Sequence, residues 1–188
     1  MAPPLARGAN VAFTRENPDL TGVVLGVRWD TGGDAVLDDN LVAAAMLCGA
    51  DHKVLSDRHF VFFNQLVSPD VSVARLETLV GNDQEQIEVD LAAVPADVER
   101  IVVMVYLNEG STARRSLGQL RRCSVRLLDL ADNRELARSE DLAPALASET
   151  AVVIGYLYRY KAEWRFRVVG QGYSSGLKGV AADYGVPL

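Results

Sequence analysis

Residues 154–169 read IGYLYRYKAEWRFRVV and decide the fold class. Large side chains occupy every second position on both sides of a short polar turn at Lys161-Ala162, namely Ile154, Tyr156 and Tyr158 before it and Trp164, Phe166 and Val168 after it. A period of two residues is typical of a β-strand, because successive side chains point to opposite faces. Arginines fill several of the intervening positions, so the pattern predicts a half-exposed antiparallel hairpin.

Other short apolar runs, rich in β-branched residues, are separated by turn residues along the rest of the chain. Strands are predicted over 21–29, 60–63 and 101–107 and around 87–89, whereas the Ala-rich run 41–48 fits a helix or a strand. Helical signals are short: a helix from Ser111 or Thr112 to about Arg122, a turn at 144–148, and a helix over 177–184. Many strands with few helices predict an all-β sandwich or barrel, forming a single domain over residues 1–188.

The composition excludes several classes of function. The 188 residues are 49% hydrophobic and carry a formal net charge of −6. An excess of acidic side chains disfavours a dedicated nucleic-acid binder, because contacts to phosphates need a positively charged surface. The start of the chain lacks a signal-peptide pattern, and the longest apolar run, around 41–49, is shorter than the roughly 20 residues of a membrane span. We therefore expect a cytoplasmic protein that is not inserted in a membrane.

Two acidic loops are candidate calcium ligands. The first follows a predicted strand and contains Asp30, Asp34, Asp38, Asp39 and Asn40, and the second reads GNDQE over 81–85. Calcium takes 6–8 oxygen ligands from carboxylates, amides and backbone carbonyls, which two loops at one end of a sandwich could supply. The spacing does not match an EF-hand, so the alternative is that these acids are solvated surface residues.

The segment GYSSG over 172–176 matches the nucleophile elbow of serine hydrolases. In those enzymes the histidine follows the serine along the chain, whereas His52 and His59 both precede Ser174. We therefore interpret this segment as a Gly/Ser turn that leads into the C-terminal helix.

Three further groups of side chains could carry chemistry, although a structural role is the simpler interpretation of each. A cluster of arginines could form a positive helix face for phosphate, but no aromatic residue for base stacking lies among them: Arg114, Arg115, Arg121, Arg122 and Arg126. A metal site is conceivable from His52 and His59 with Asp51 and Asp57. Cys48 is expected to be buried, and Cys123, beside arginines, could have a lowered pKa.

Several short motifs, taken together and in order, resemble one known family. The chain starts with LARGANV over 5–11, a strand ends in RWD over 28–30, the middle carries FVFFNQ over 60–65 and SPD over 68–70, and the last third carries GYLYR over 155–159 and GQGY over 170–173. These motifs resemble the TerD family of tellurite-resistance and stress-response proteins. The resemblance implies a β-sandwich of two mostly antiparallel sheets with a few short helices. It also implies a cytoplasmic, non-enzymatic protein that binds calcium in acidic loops.

The chain departs from the family pattern at both acidic loops. Val36 stands where the family has the first aspartate of D-L-D-A-S, and residues 75–85 replace a longer, more acidic loop. The resemblance leaves five metal-ligand candidates at matching or near-matching positions, Asp30, Asp38, Asn64, Asp83 and Glu85, and Asp34 is a sixth that could compensate for the lost ligands. One hypothesis is a weakened, single-site calcium module. The alternative is a metal-independent protein–protein interaction module with a degenerate calcium site, whose partners would be other TerD-family or membrane-associated stress proteins.

Overall fold

The computed structural model describes residues 3–77, 79, 81–108 and 114–187, which form two β-sheets and short helices. The strands are β1 (Asn10–Val11), β2 (Gly22–Asp30), β3 (Leu41–Cys48), β4 (Phe60–Val61), β5 (Val73–Arg75), β6 (Glu85–Asp90), β7 (Arg100–Leu107), β8 (Arg122–Asp129), β9 (Glu135–Arg138), β10 (Ala151–Tyr160) and β11 (Glu163–Tyr173). The α-helices are α1 (Phe13–Glu16), α2 (Ala35–Asn40) and α3 (Leu177–Tyr184). Single 3₁₀ turns lie at Asp57–His59, Leu91–Ala93, Leu117–Gln119 and Ala143–Ala145.

The two sheets pack face to face as a β-sandwich. One sheet has six strands in the order β1-β11-β10-β7-β3-β4, and the other has five in the order β5-β6-β2-β8-β9. The named strands pair antiparallel with their neighbours. Fully buried side chains from both sheets, including Leu25, Ile87, Ile101 and Phe166, form one apolar cluster between them. The prediction of an all-β sandwich of two mostly antiparallel sheets is confirmed.

The C-terminal hairpin is confirmed, with one correction to its faces. Trp164 and Phe166 point into the core as predicted. However, the register of β10 shifts between Val153 and Gly155. Beyond the shift, Leu157 is fully buried in the core, and Tyr156 packs on the opposite side of the sheet. The prediction that Tyr156 lies on the same face as Ile154 was therefore wrong, because a register shift breaks the period of two.

The run 41–48 is a strand, β3, and it is buried along its whole length. Its residues alternate between two apolar clusters, since Ala43, Ala45 and Leu47 face the other sheet, whereas Met46 lies in a second cluster with Val180 of α3. Helix α3, which coincides with the predicted helix, thus covers part of the outer face of the six-stranded sheet. Burial on both faces explains why periodicity could not distinguish strand from helix here.

Two other predicted elements differ from the structure. The helix predicted to end at Arg122 was wrong over its described part, because residues 117–119 form a 3₁₀ turn and Arg122 begins β8. Its predicted capping residues, Ser111 and Thr112, lie outside the described residues. The strand predicted over 60–63 covers only Phe60–Val61. Throughout the described ranges, no helix combines the length and apolarity that membrane crossing would require.

Candidate functional site

Asp83, one of the predicted calcium ligands, precedes β6 and is held by the side chains of three strand residues. Its carboxylate is fully buried. Arg28 Nε donates to Asp83 Oδ1 at 2.6 Å, and Arg126 Nε lies 2.9 and 3.0 Å from the two carboxylate oxygens. Gln86 Nε2 donates to Oδ2 at 2.7 Å. We call these four residues the Asp83 clamp. Charge-assisted hydrogen bonds of this kind are short and strong, so both oxygens are already engaged by protein donors.

Strand alternation places the clamp on the outer face of the five-stranded sheet. Val27 of β2 and Val125 of β8 point into the core, so their neighbours Arg28 and Arg126 point outwards. Gly26 lies directly opposite Arg126 on one side and Gln86 on the other. Because Gly26 has no side chain, the Asp83 carboxylate can lie against the sheet between the arginines.

Glu85 lies on the opposite face of the same sheet. It is the cross-strand partner of Val27, which faces the core, and it is itself buried. Arg75 of β5 binds it through two parallel hydrogen bonds, Nε to Oε2 at 3.0 Å and Nη2 to Oε1 at 2.7 Å. Asp83 and Glu85 are therefore separated by the sheet, and each has its own arginine partner. They cannot bind the same ion in this arrangement.

Asp34 is the N-cap of α2. Its Oδ1 accepts a hydrogen bond from Leu37 N at 3.0 Å, and its Oδ2 accepts one from Arg115 Nε at 2.8 Å. The backbone hydrogen bond from Leu37 lowers the pKa of this carboxyl, and the Arg115 guanidinium lowers it further. This aspartate thus serves as a helix cap with an arginine partner.

Asp30, the last residue of β2, and Asp38 of α2 are both exposed. Asp30 Oδ1 accepts a hydrogen bond from Gly32 N at 2.8 Å, and Asp38 Oδ1 accepts one from Thr31 Oγ1 at 2.6 Å. Asn64 is exposed in a turn that follows β4, a strand of the other sheet. In the described part of the chain, no three His, Cys, Asp or Glu side chains are grouped so that they could hold a metal ion.

Sequence comparison connects this sandwich to a family. Residues 1–184 match the TerD domain. The chain belongs to the TerD family. It is 37% identical over 190 residues to the tellurium resistance protein TerD of Serratia marcescens, covering 99% of this chain and 98% of that protein. It is also 37% identical over 189 residues to general stress protein 16U of Bacillus subtilis, covering 98% and 97%.

Solved structures show the same fold. A crystal structure of a homologue of telluride resistance protein (TerD) from Streptomyces coelicolor A3(2) superimposes with a TM-score of 0.65 at 19% sequence identity. The match covers 86% of this chain and 95% of that chain. The resemblance inferred from short motifs is thus confirmed over nearly the whole chain.

Asp83, Glu85 and Asp34 do not fit the calcium site that the TerD resemblance implies. A calcium site needs several oxygen ligands directed at one point. Here Asp83, Glu85 and Asp34 each accept hydrogen bonds from an arginine, and two of them lie on opposite faces of a sheet. The sequence interpretation missed Arg115 and Arg126 as partners because it assigned them to a helix face, and it did not consider Arg28 or Arg75 as partners. The alternation of Arg122, Ser124 and Arg126 with core residues was a signal of a strand.

The nucleophile-elbow serine and the two histidines are the next candidates to place in the structure. Ser174 lies exposed in the turn between β11 and α3. His59 Nδ1 lies 2.6 Å from Ser56 Oγ, and its Nε2 lies 3.9 Å from an oxygen of Asp70. Within the described residues neither histidine makes a hydrogen bond to Ser174, so the elbow motif is not part of a catalytic triad in this arrangement.

Both cysteines are buried and unpaired. Burial raises the pKa of the Cys48 thiol to about 12 and that of the Cys123 thiol to about 12. The hypothesis of a lowered pKa at Cys123 was therefore wrong. Cys123 points into the core, whereas the neighbouring Arg122 points away from it, so the arginine cannot stabilise a thiolate there.

Proposed function

We propose that this TerD-family protein acts in tellurium resistance and the stress response as a metal-independent protein–protein interaction module. The Asp83 clamp is the observation that supports metal independence. There, arginines supply the positive charge next to the carboxylate that a calcium ion would otherwise supply. Near-full-length relatives named as tellurium resistance and general stress proteins support the biological role. The proposed protein is non-enzymatic and cytoplasmic, and its partners are other TerD-family or membrane-associated stress proteins.

Physical chemistry supports metal independence at Asp83. A calcium ion could reach this carboxylate only by displacing Arg28 or Arg126, each of which is at least partly shielded from solvent. A guanidinium left without its partner in such surroundings is costly, because its desolvation is no longer compensated. The same argument applies to Glu85, which Arg75 binds in a bidentate manner.

A weak calcium site is a second candidate, and one observation favours it. Asp30 and Asp38 are exposed, and among the described residues their side chains accept hydrogen bonds only from a nearby amide and a nearby hydroxyl. These two carboxylates, with backbone carbonyls of the same loop, could bind calcium at low affinity. The protein partners of a weak calcium module would be the same as those of the metal-independent module.

Thermal unfolding in millimolar calcium and in chelator distinguishes the two candidates, because a ligand that binds only the folded state raises Tm. Metal independence predicts equal Tm values. A rise in Tm that is lost in the double variant Asp30→Asn/Asp38→Asn would favour the weak site. A rise that is lost in Asp83→Asn but kept in that double variant would contradict our interpretation of the clamp.

Growth on tellurite tests the biological role. A strain that lacks this gene should become more sensitive, and both the wild-type gene and the Asp30→Asn/Asp38→Asn gene should restore resistance. Capture of a TerD-family partner should be unchanged by chelator. Unaltered tellurite sensitivity and unaltered oxidant sensitivity in the deletion strain would together contradict the stress role.

A further inference from the structure

A cavity of about 360 Å³ opens on the outer face of the five-stranded sheet beside the Asp83 clamp. Its lining includes Arg28, Arg122, Arg126 and Arg138, with Ser124 between the arginines of β8. The volume falls in the range of about 300–1,000 Å³ that is typical of small-molecule sites. Four guanidinium groups around one cavity indicate an anionic ligand.

The strand register brings two of these arginines directly together. Arg126 of β8 is the cross-strand partner of Arg138 of β9. Like charges directly opposite each other destabilise a sheet unless a counter-charge lies close. Asp83 neutralises Arg126 from the β6 side, but Arg138 forms no ion pair with the described residues. The Arg138 guanidinium at the cavity is therefore outside any ion pair of the described residues, although carboxylates line the same cavity.

Two cavity arginines have side-chain donors that are unused by the described residues. Arg138 Nε is buried and has no hydrogen-bond partner in that part of the chain. A buried donor without a partner costs free energy, so its presence in a native fold calls for a ligand or water. The side chain of Arg122 likewise makes no hydrogen bond or ion pair within the described ranges. A planar guanidinium offers paired N–H groups whose geometry matches two oxygens of one anion.

Acidic side chains also line the cavity, and they limit the size of the ligand. Asp141 Oδ1 accepts hydrogen bonds from Cys123 N and Ala143 N, and Glu140 Oε1 accepts one from Arg7 N. Glu135 completes the acidic lining. Because these carboxylates keep the net charge of the cavity small, a long polyanion would gain little from its field. A compact anion that reaches the free guanidinium donors would gain most.

We propose that this cavity binds a small oxyanion through the guanidinium groups of Arg122 and Arg138. The Asp83 clamp fixes Arg28 and Arg126 as the adjoining wall. Phosphate, sulfate and tellurite share the relevant chemistry, since each presents several oxygens from one centre. Asp30 is the cross-strand partner of Arg122 and so adjoins this site, but anion binding there does not depend on calcium.

Isothermal titration calorimetry with sodium phosphate, sodium sulfate and sodium tellurite, each at an ionic strength matched with sodium chloride, tests the proposal. Saturable binding of at least one of these anions is expected, and the relative Kd values identify the anion that the site prefers. Absence of saturable binding for all three at millimolar concentrations would overturn the proposal.

Variants locate the site. Arg138→Gln and Arg122→Gln each remove one charge and should raise Kd about tenfold or more, the loss expected for a charge-assisted hydrogen bond. Arg58→Gln is the matched control, because Arg58 is exposed in the turn before β4 and far from this face; its Kd should equal that of the wild type. Circular dichroism verifies that both variants fold. Arg122 is exposed, so its substitution should affect stability less than substitution of the half-buried Arg138. An unchanged Kd in folded Arg122→Gln and Arg138→Gln would overturn the proposal.

Discussion

The carboxylate of Asp83 occupies the space that a side chain on Gly26 would need, since a Cβ on Gly26 would lie 2.1 Å from Asp83 Oδ2. Gly26 lies in the middle of β2, and Asp83 lies in the turn before β6. The contact between them therefore couples these two segments. It explains why a glycine stands in the middle of β2. The clamp therefore depends on a missing side chain as much as on the arginines that bind the carboxylate.

Gly26→Ala should destabilise the fold. The added methyl group displaces a carboxylate that three donors hold in place, and such overpacking typically lowers the free energy of unfolding by about 1–3 kcal/mol. Gly26 does not adopt a left-handed backbone conformation, so the loss reports the contact and not backbone strain. Urea denaturation measures it.

The double variant Gly26→Ala/Asp83→Ala is the control for that prediction. Removing the carboxylate also removes the clash, so the two substitutions should together cost less than the sum of their separate effects. Strictly additive losses would show that the methyl group clashes with something other than Asp83.

Asp83→Asn should lower the free energy of unfolding by about 3 kcal/mol. This value is at the lower end of the range for breaking a buried ion pair, because the Arg28 side chain is partly exposed to solvent. The amide keeps the shape of the carboxylate but leaves two guanidinium groups without their counter-charge. The matched control is Asp97→Asn, an exposed residue before β7, which should change stability by no more than about 0.5 kcal/mol. Equal small effects of the two substitutions would contradict an energetic role for the clamp.

Local patterns predicted those parts of the fold that are set by neighbouring residues. The hairpin of β10 and β11 follows from alternation around a polar turn, and helix α3 follows from a short amphipathic run after Gly/Ser residues. The register shift at Gly155 was not predictable, because it depends on close approach to another strand: a Cβ there would lie 2.5 Å from Arg167 O. Alternation therefore predicted the strand but misplaced Tyr156.

The candidate site was harder to predict than the fold, because its partners are distant in sequence. Asp83 and Glu85 are only two positions apart, yet Asp83 precedes β6 and so is not governed by the alternation that places Glu85 inside. Arg28, Arg75 and Arg126 come from three different strands. Motif resemblance identified the acidic positions, but only the tertiary fold shows which cation each carboxylate binds.

Asp34 makes stability depend on pH in a defined direction. Its pKa is lowered in the folded protein by the Leu37 amide and by Arg115, so the ionised form favours folding. That contribution is present above the unfolded pKa, about 3.9 for aspartate, and is lost as pH falls through the lower folded value. The variant Asp34→Asn, which retains a helix-capping side chain, should be less stable than the wild type at pH 7.

The stability difference between Asp34→Asn and the wild type should narrow as the pH is lowered below about 4, because the unfolded aspartate takes up a proton there while the native aspartate stays ionised to lower pH. Denaturant unfolding between neutral and acidic pH measures this convergence. Exposed Asp97→Asn, measured in parallel, is the reference for changing a surface aspartate to an amide. A difference that stays constant across the whole pH range would mean that the charge of Asp34 does not contribute.

The two cysteines should be inert in the native protein. Both are fully buried, and burial raises the pKa of Cys123 to about 12, so almost no thiolate forms at neutral pH. A disulfide reagent such as Ellman's reagent should therefore react slowly with native protein and release two equivalents only in denaturant. Cys48→Ser leaves Cys123 as the single reporter, and its reaction rate should rise with urea in parallel with global unfolding. Rapid reaction of native Cys48→Ser would instead indicate that the arginines beside Cys123 activate its thiol, and that β8 does not hold it in the core.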